Sequence, residues 1–173
     1  MPRGPDSSLA SRSAAYGQTT LWEWGGNFSN PTQPVQQVTG IDAFSFADIS
    51  VGGSFALAFG TDGSVWGWGD DTFGELGNGP HSGRVTRPVE TFGPGSGIVQ
   101  LSAGGQHTLA LKSNGTVLAF GFNDTGPLGD GDRVTPPGPV HVTGMTTAVQ
   151  VSAGWQFSLA VYGSVVVTKG PGI

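Results

Sequence analysis

An all-β fold assembled from repeats is predicted by three features of the chain. The phrase Ser50-Val51-Gly52-Gly53-Ser54-Phe55-Ala56-Leu57-Ala58 returns as Ser102-Ala103-Gly104-Gly105-Gln106-His107-Thr108-Leu109-Ala110. It returns again as Ser152-Ala153-Gly154-Trp155-Gln156-Phe157-Ser158-Leu159-Ala160, at steps of 52 and 50 residues. A second phrase keeps the same interval: Leu21-Trp22-Glu23-Trp24-Gly25, Val65-Trp66-Gly67-Trp68-Gly69 and Val117-Leu118-Ala119-Phe120-Gly121. Glycine, 31 of 173 residues, falls at fixed places in these phrases, where it serves turns and close backbone approach. Such a period marks stacked units that cannot bury their apolar faces singly.

Taken in order, residues 1–13 hold Pro, Ser, Arg and Gly with little to bury and are expected to form an extended arm. Ala15-Tyr16-Gly17-Gln18-Thr19-Thr20-Leu21 is similar to Val161-Tyr162-Gly163-Ser164-Val165-Val166, and both read as a tight turn into a Trp-Gly strand. From residue 14 a single domain is expected, with repeats at 21–64, 65–116 and 117–164 and a terminal strand at 165–170. Each repeat reads as four short strands, which in the second are 65–69, 86–91, 98–103 and 107–112. Alternation puts Val99, Leu101 and Ala103 on one face, and His107, Leu109 and Leu111 on one face. Thr61-Asp62-Gly63 and Ser113-Asn114-Gly115 carry the residue types of hairpin turns. No 11-residue window holds a helical apolar stripe free of Gly and Pro. The core is expected to contain Leu57, Leu101, Leu109, Val151 and Leu159, which hold equivalent places in the repeated phrase.

Composition narrows the function. Charged residues are 11% and the net charge is −5, with a pI near 4.8. Affinity for nucleic acid comes largely from Lys and Arg, so no nucleic-acid partner is expected. There are no cysteines, which excludes disulfides and thiolate metal sites. No run of 18 apolar residues exists, and no membrane partner is expected. The segment from Met1 to Ser8 has no apolar core behind its arginine and does not read as a signal peptide. Cytoplasmic synthesis follows as an expectation.

The most specific stretch is Val65-Trp66-Gly67-Trp68-Gly69-Asp70-Asp71-Thr72-Phe73-Gly74-Glu75-Leu76-Gly77-Asn78-Gly79. Phe120-Gly121-Phe122-Asn123-Asp124-Thr125-Gly126-Pro127-Leu128-Gly129-Asp130-Gly131 repeats it with Pro127 inserted in the loop. Arg87-Pro88-Val89 and Gly138-Pro139-Val140 follow in turn. These phrases resemble the regulator of chromosome condensation repeat, the unit of a seven-bladed β-propeller family. The first repeat departs, because Gly25-Gly26-Asn27-Phe28-Ser29-Asn30 runs straight to Pro31 without the Gly-x-Leu-Gly loop. The resemblance implies a partial β-propeller of three four-stranded antiparallel blades. Propellers close with about four to eight blades, so the array is either open or completed by other chains. Read as a whole chain from Met1 to Ile173, it is expected to complete its ring with partners.

Several side chains are candidates for function. Trp22 and Trp24, like Trp66 and Trp68, stand two apart in a strand and share a face, which suits packing between blades or an aromatic binding surface. Trp155 replaces the glycine of its siblings, Gly53 and Gly105, and would fill space left by a missing blade. His81, His107 and His141 show no spacing of a catalytic set, and His107 aligns with Phe55 and Phe157, as a packing residue would. Asp70, Asp71, Glu75, Asp124, Asp130 and Asp132 are oxygen-rich, but their spacing matches no calcium loop. No phosphate loop, dinucleotide fingerprint or paired-carboxylate motif is present, so neither a cofactor nor an enzyme activity is expected. Partner-binding residues are expected at Arg3 and Arg12 in the arm, at Trp155, and at Val165, Val166 and Val167 in the terminal strand.

The function expected is therefore a non-enzymatic structural or interaction module that assembles with copies of itself or with other chains, a phage virion being one setting. A regulator of a small GTPase, of the exchange-factor type, is the alternative that the resemblance implies. A carbohydrate-binding propeller is a further alternative, allowed by the tryptophans.

Overall fold

A computed structural model of the protein describes residues 20–27, 30–41 and 45–163. Twelve strands run through the described residues, every pair antiparallel, and no helix is among them. β1 (Trp22–Asn27) and β2 (Asn30–Gln37) form a two-stranded sheet. β3 (Phe46–Val51), β4 (Phe55–Gly60), β5 (Val65–Asp71) and β6 (Gly83–Phe92) form a four-stranded sheet in chain order. β7 (Ile98–Ala103), β8 (His107–Lys112), β9 (Val117–Gly121) and β10 (Val140–His141) form a second. β11 (Ala148–Ala153) and β12 (Ser158–Tyr162) pair alone. The chain is a partial β-propeller, with two full blades flanked by two half-blades among the described residues.

The repeat written in the sequence and the sheet built in space are out of phase. The four strands read within 65–116 fall in two sheets, because the chain leaves one blade after β6 and enters the next at β7. A hairpin and a crossing between blades look alike in sequence, since each is a short polar link between apolar runs. The hairpins themselves follow the turn chemistry. Gly63 and Gly115 adopt φ of +87° and +81°. Gly63 N donates to the Gly60 carbonyl at 3.0 Å and Gly115 N to the Lys112 carbonyl at 2.9 Å. A side chain at either φ would be strained.

One face departs from simple alternation. β3, β7 and β11 each carry a bulge near the start, shown by the register slips between Phe46 and Asp48, Ile98 and Gln100, and Ala148 and Gln150. The extra residue turns the strand over. Ile98 is therefore buried and Val99 exposed, and likewise Ala148 is buried and Val149 exposed. The expectation that Val99 shares the inward face with Leu101 is corrected by this bulge.

Neighbouring blades meet through their first strands, with β7 against β3 and β4, and β11 against β7 and β8. One apolar cluster joins Phe55, Leu57, Val65 and Leu76 to Ile98, Leu101, Ala110 and Phe120. The next joins Leu109, Leu111, Val117, Ala119 and Leu128 to Ala148 and Val151. Four of the five expected core residues are buried, and Leu159 is not: it is 62% exposed. Leu57 and Leu109 are covered by the blade that follows them, and no blade follows β12 among the described residues.

The turns between first and second strands are bonded to one another. Gly53 N donates to the Gly104 carbonyl at 3.1 Å, and Gly105 N to the Gly154 carbonyl at 3.1 Å. A Cβ at Gly104 would collide with the Gly154 carbonyl and the His107 ring. Gly104→Ala is therefore expected to cost roughly 2 kcal/mol or more, beyond the ~0.5 kcal/mol of an ordinary surface change, as read from urea unfolding. Leu109→Ala is expected to lose about 2–5 kcal/mol, whereas Val99→Ala should stay within ~0.5 kcal/mol. Equal losses for the two would remove the bulge from the account.

Candidate binding face

The first-to-second strand turns and the long loops after β5 and β9 gather at one end of the sheets. Each long loop is held by a polar side chain at the end of its strand. Asp71 Oδ1 accepts from Leu76 N at 3.0 Å, and Oδ2 accepts from the Ser82 hydroxyl and amide. In the next blade the amide of Asn123 does the same work. Its Oδ1 accepts from Leu128 N at 3.2 Å, and its Nδ2 donates to the Val134 carbonyl at 3.2 Å and to Asp130 Oδ1 at 3.1 Å. Leu76 and Leu128 are thereby driven fully into the seams between sheets. Asp70 and Asp132 likewise accept from nearby amides, those of Thr72 and Val134. The loop carboxylates face backbone donors, and among the described residues no group of three His, Cys, Asp or Glu is arranged to hold a metal.

Besides Asp71, two further titratable groups are buried among the described residues, His107 and Glu75. His107 is 1% exposed, and its Nε2 lies 2.9 Å from Ser158 Oγ in the next sheet. Ser158 Oγ gives its one proton to the Pro127 carbonyl at 2.7 Å, so the histidine donates and carries its hydrogen on Nε2. Burial pushes its pKa down to about 4. Glu75 is 1% exposed; its Oε2 accepts from Phe73 N at 2.9 Å, and its carbonyl accepts from Thr108 Oγ1 of the next blade at 2.8 Å. Burial pushes its carboxyl up to about 7; the Glu75 and Phe73 amides partly oppose this, and the Asp70 and Asp71 charges add to it.

Trp155 lies 66% exposed on this end. Its ring does not reach forward into space beyond β12. It folds back over Gly105, where an added Cβ would meet ring atoms at 2.9 and 3.0 Å, and extends toward Gly53. The other tryptophans divide by neighbour. Trp68 is half-buried and donates from Nε1 to Glu23 Oε2 at 3.1 Å, across to β1. Trp22 and Trp24 are exposed by 50% and 72%, with no sheet before them among the described residues. Trp24, Ile49 and Val51 line an apolar cleft of about 340 Å³ between β1 and the β3–β4 pair. At the opposite end Val149, Phe157, Leu159 and Val161 are all more than half exposed. Sequence reasoning expected an open array with apolar faces at its ends, but it placed Leu159 in the core. The signal for these faces was the repeat count, three against the roughly four to eight blades that close a propeller. Arg3, Arg12, Val165, Val166 and Val167 lie outside the described residues, as does the segment 11–16.

His107 and Glu75 act in opposite directions with pH. Glu75 has a folded-state pKa above its unfolded 4.5, so its stabilisation is full below pH 4.5 and lost as pH rises to about 7. His107 is depressed from 6.5 to about 4, so its stabilisation is present above pH 6.5 and lost as pH falls through 4. Glu75→Gln is expected to gain on the parent by roughly 1–3 kcal/mol as pH rises through this window. His107→Phe, the residue of its siblings, should gain on the parent as pH falls. Urea unfolding at a series of pH values checks both, and curves parallel to the parent would contradict them.

A family model described as the regulator of chromosome condensation (RCC1) repeat matches residues 62–111 and 114–161, and a second model of the same description matches 46–75 and 98–126. The chain is 38% identical over 110 residues to the RCC2 homolog of Danio rerio, covering 61% of this chain and 22% of that protein. It is 31% identical over 140 residues to the mitochondrial RCC1 domain-containing protein RUG3 of Arabidopsis thaliana, covering 79% of this chain and 30% of that one. It is 29% identical over 149 residues to the human probable E3 ubiquitin-protein ligase HERC3, covering 84% of this chain and 14% of that one. The chain thus spans less than a third of the length of these curated relatives. Among solved structures, Prp20p from Saccharomyces cerevisiae, described with its binding to Gsp1p and histones, superposes with a TM-score of 0.72 at 22% identity, over 84% of this chain and 40% of that one. Yeast RCC1 bound to Kap60 gives a TM-score of 0.70 at 21% identity, over 83% and 37%. In its repeated phrases, its strand order and its blade geometry, the chain belongs to the regulator of chromosome condensation repeat family.

Proposed function

We propose that this chain is a non-enzymatic interaction module, a partial propeller whose uncovered sheet faces dock other protein chains. One observation carries the reading. Leu57 and Leu109 are 0% and 2% exposed between blades, while Leu159, at the same place in the phrase, is 62% exposed. Ile49 stands in the same relation to the buried Leu101 and Val151. Apolar side chains of this kind, contiguous on a sheet face, mark a protein-binding surface. A virion would be one setting for such a module, and none of the relatives named above is described as a virion component. The expectation against nucleic acid rests on the acidic charge alone.

A second reading, a regulator acting on a small GTPase, draws its support from the likeness to Prp20p and the description of that protein as binding Gsp1p. The match to HERC3, whose name carries a ligase activity, covers 14% of that protein. The readings separate by experiment. Light scattering on the purified chain is expected to give a mass above the 17.6 kDa of one chain. A folded monomer that stays monomeric across concentration, and speeds nucleotide release from a small GTPase, would favour the regulator instead.

A further inference from the structure

We propose that Asn78 is a site of spontaneous deamidation, while the same dipeptide at Asn114 is protected by its turn. Two of the chain's five asparagines, Asn78 and Asn114, precede glycine. Asparagine is thermally labile, and most so before glycine, where no side chain hinders the following peptide. The glycine amide nitrogen attacks the side-chain carbonyl carbon of the asparagine. A new C–N bond closes a succinimide ring, the amide proton passes through solvent to the side-chain nitrogen, and that nitrogen leaves as ammonia. Water then opens the ring at either carbonyl, giving aspartate or its β-linked isomer. The attack needs a glycine amide free of its hydrogen bond, an asparagine side chain free to turn, and room for the peptide to rotate.

The two sites meet these needs differently. Asn114, in the turn between β8 and β9, is clamped. Its Oδ1 accepts from Thr116 N at 3.0 Å and from Thr116 Oγ1 at 2.7 Å. Gly115 N donates to the Lys112 carbonyl at 2.9 Å, and the Gly115 carbonyl accepts from Ala148 N at 2.9 Å. A Cβ on Gly115 would lie 2.8 Å from the Thr146 carbonyl oxygen and from Thr147 Cα, so the link into β11 closes the space around this peptide. Asn78 lies exposed in the long loop after β5. On one side Gly77 N donates to the Gly74 carbonyl at 3.1 Å, and on the other His81 Nε2 donates to the Pro136 carbonyl at 3.2 Å. Between those ties Asn78, Gly79 and Pro80 make no hydrogen bond among the described residues. No atom lies within 4 Å of where a Cβ of Gly79 would stand. The sibling loop shows that an aspartate fits this backbone. Leu76-Gly77-Asn78-Gly79 corresponds to Leu128-Gly129-Asp130-Gly131, and the glycines take matching φ, +73° and +114° against +65° and +105°. Asp130 Oδ1 there accepts from Asn123 Nδ2 at 3.1 Å. In the first loop Asp71 holds the place of Asn123 and, as a carboxylate, cannot supply that bond. Deamidation of Asn78 therefore adds a negative charge to a loop whose base already carries one.

The test holds the folded chain in warm, mildly alkaline buffer, with the same chain in guanidinium chloride as the reference. Trypsin separates the two sites, since cleavage at Arg12, Arg84, Lys112 and Arg133 leaves Asn78 in 13–84 and Asn114 in 113–133. Mass spectrometry follows the exchange of –NH2 for –OH in each peptide, and fragment ions assign it to a residue. In denaturant the two sites should change at similar rates. In the folded chain Asn78 is expected to stay within a few-fold of its denatured rate, and Asn114 to slow roughly tenfold or more, because several hydrogen bonds must open before its attack. Anion exchange should resolve the acidic form of the folded chain. That form should be absent in Asn78→Gln, whose longer side chain closes the ring far more slowly, and should remain in Asn114→Gln. Equal slowing at the two sites overturns the proposal, as does faster change at Asn114 than at Asn78. An acidic form that persists in Asn78→Gln places the charge elsewhere and overturns it too.

Discussion

The stacking of the glycine turns at Gly52-Gly53, Gly104-Gly105 and Gly154-Trp155 is the contact on which the other seams depend. Backbone meets backbone there, with Gly53 N on the Gly104 carbonyl and Gly105 N on the Gly154 carbonyl. Side chains at Gly52 and Gly104 would hold the sheets apart. With the turns in contact, Ser50 and Ser102 reach the next blade's amides and Leu57 and Leu109 reach the next blade's core. Set the turns apart and each of those contacts opens together. That shared dependence is why glycine recurs beside apolar residues at these turns.

The same place in the repeat is buried or exposed according to its neighbour. Leu57 and Leu109 are core residues, and Leu159 is surface. Leu101 and Val151 are core, and Ile49 is surface. Trp68 packs toward β1, while Trp24, in the same place one repeat earlier, faces solvent. Burial in a repeat protein belongs to the pair of units rather than to one of them. Among the described residues, the first and last units thus expose the apolar set that their siblings hide, and this carries the functional reading.

The buried polar groups follow a related logic. Asp71 and Asn123 sit at equivalent strand ends and hold equivalent loops, one as a carboxylate and one as an amide. An amide also donates, so Asn123 reaches the carbonyl of Val134 where Asp71 instead accepts from Ser82. Each loop carries the partners its strand-end residue requires, so the pair is a structural device written in two chemistries. His107 replaces a phenylalanine and adds one bond across a seam, with neutrality enforced by burial.

The sequence by itself determined the fold class, the strands, the hairpin turns and the family, because each rests on local chemistry repeated at a fixed interval. Asp-Gly and Asn-Gly dictate a turn whatever surrounds them, and three matching phrases dictate three matching strands. Tertiary structure alone decided which four strands make a sheet, since a hairpin and a blade crossing read alike. It alone decided that Val99 faces out, because a bulge of one residue leaves no mark in the alternation. Only in space did Trp155 turn back over Gly105, since its neighbours lie in other blades 50 or more residues away in the chain. The exposure of Leu159 and Ile49 was decided there as well, for the physical reason that a residue's own letters do not say whether another sheet stands in front of it.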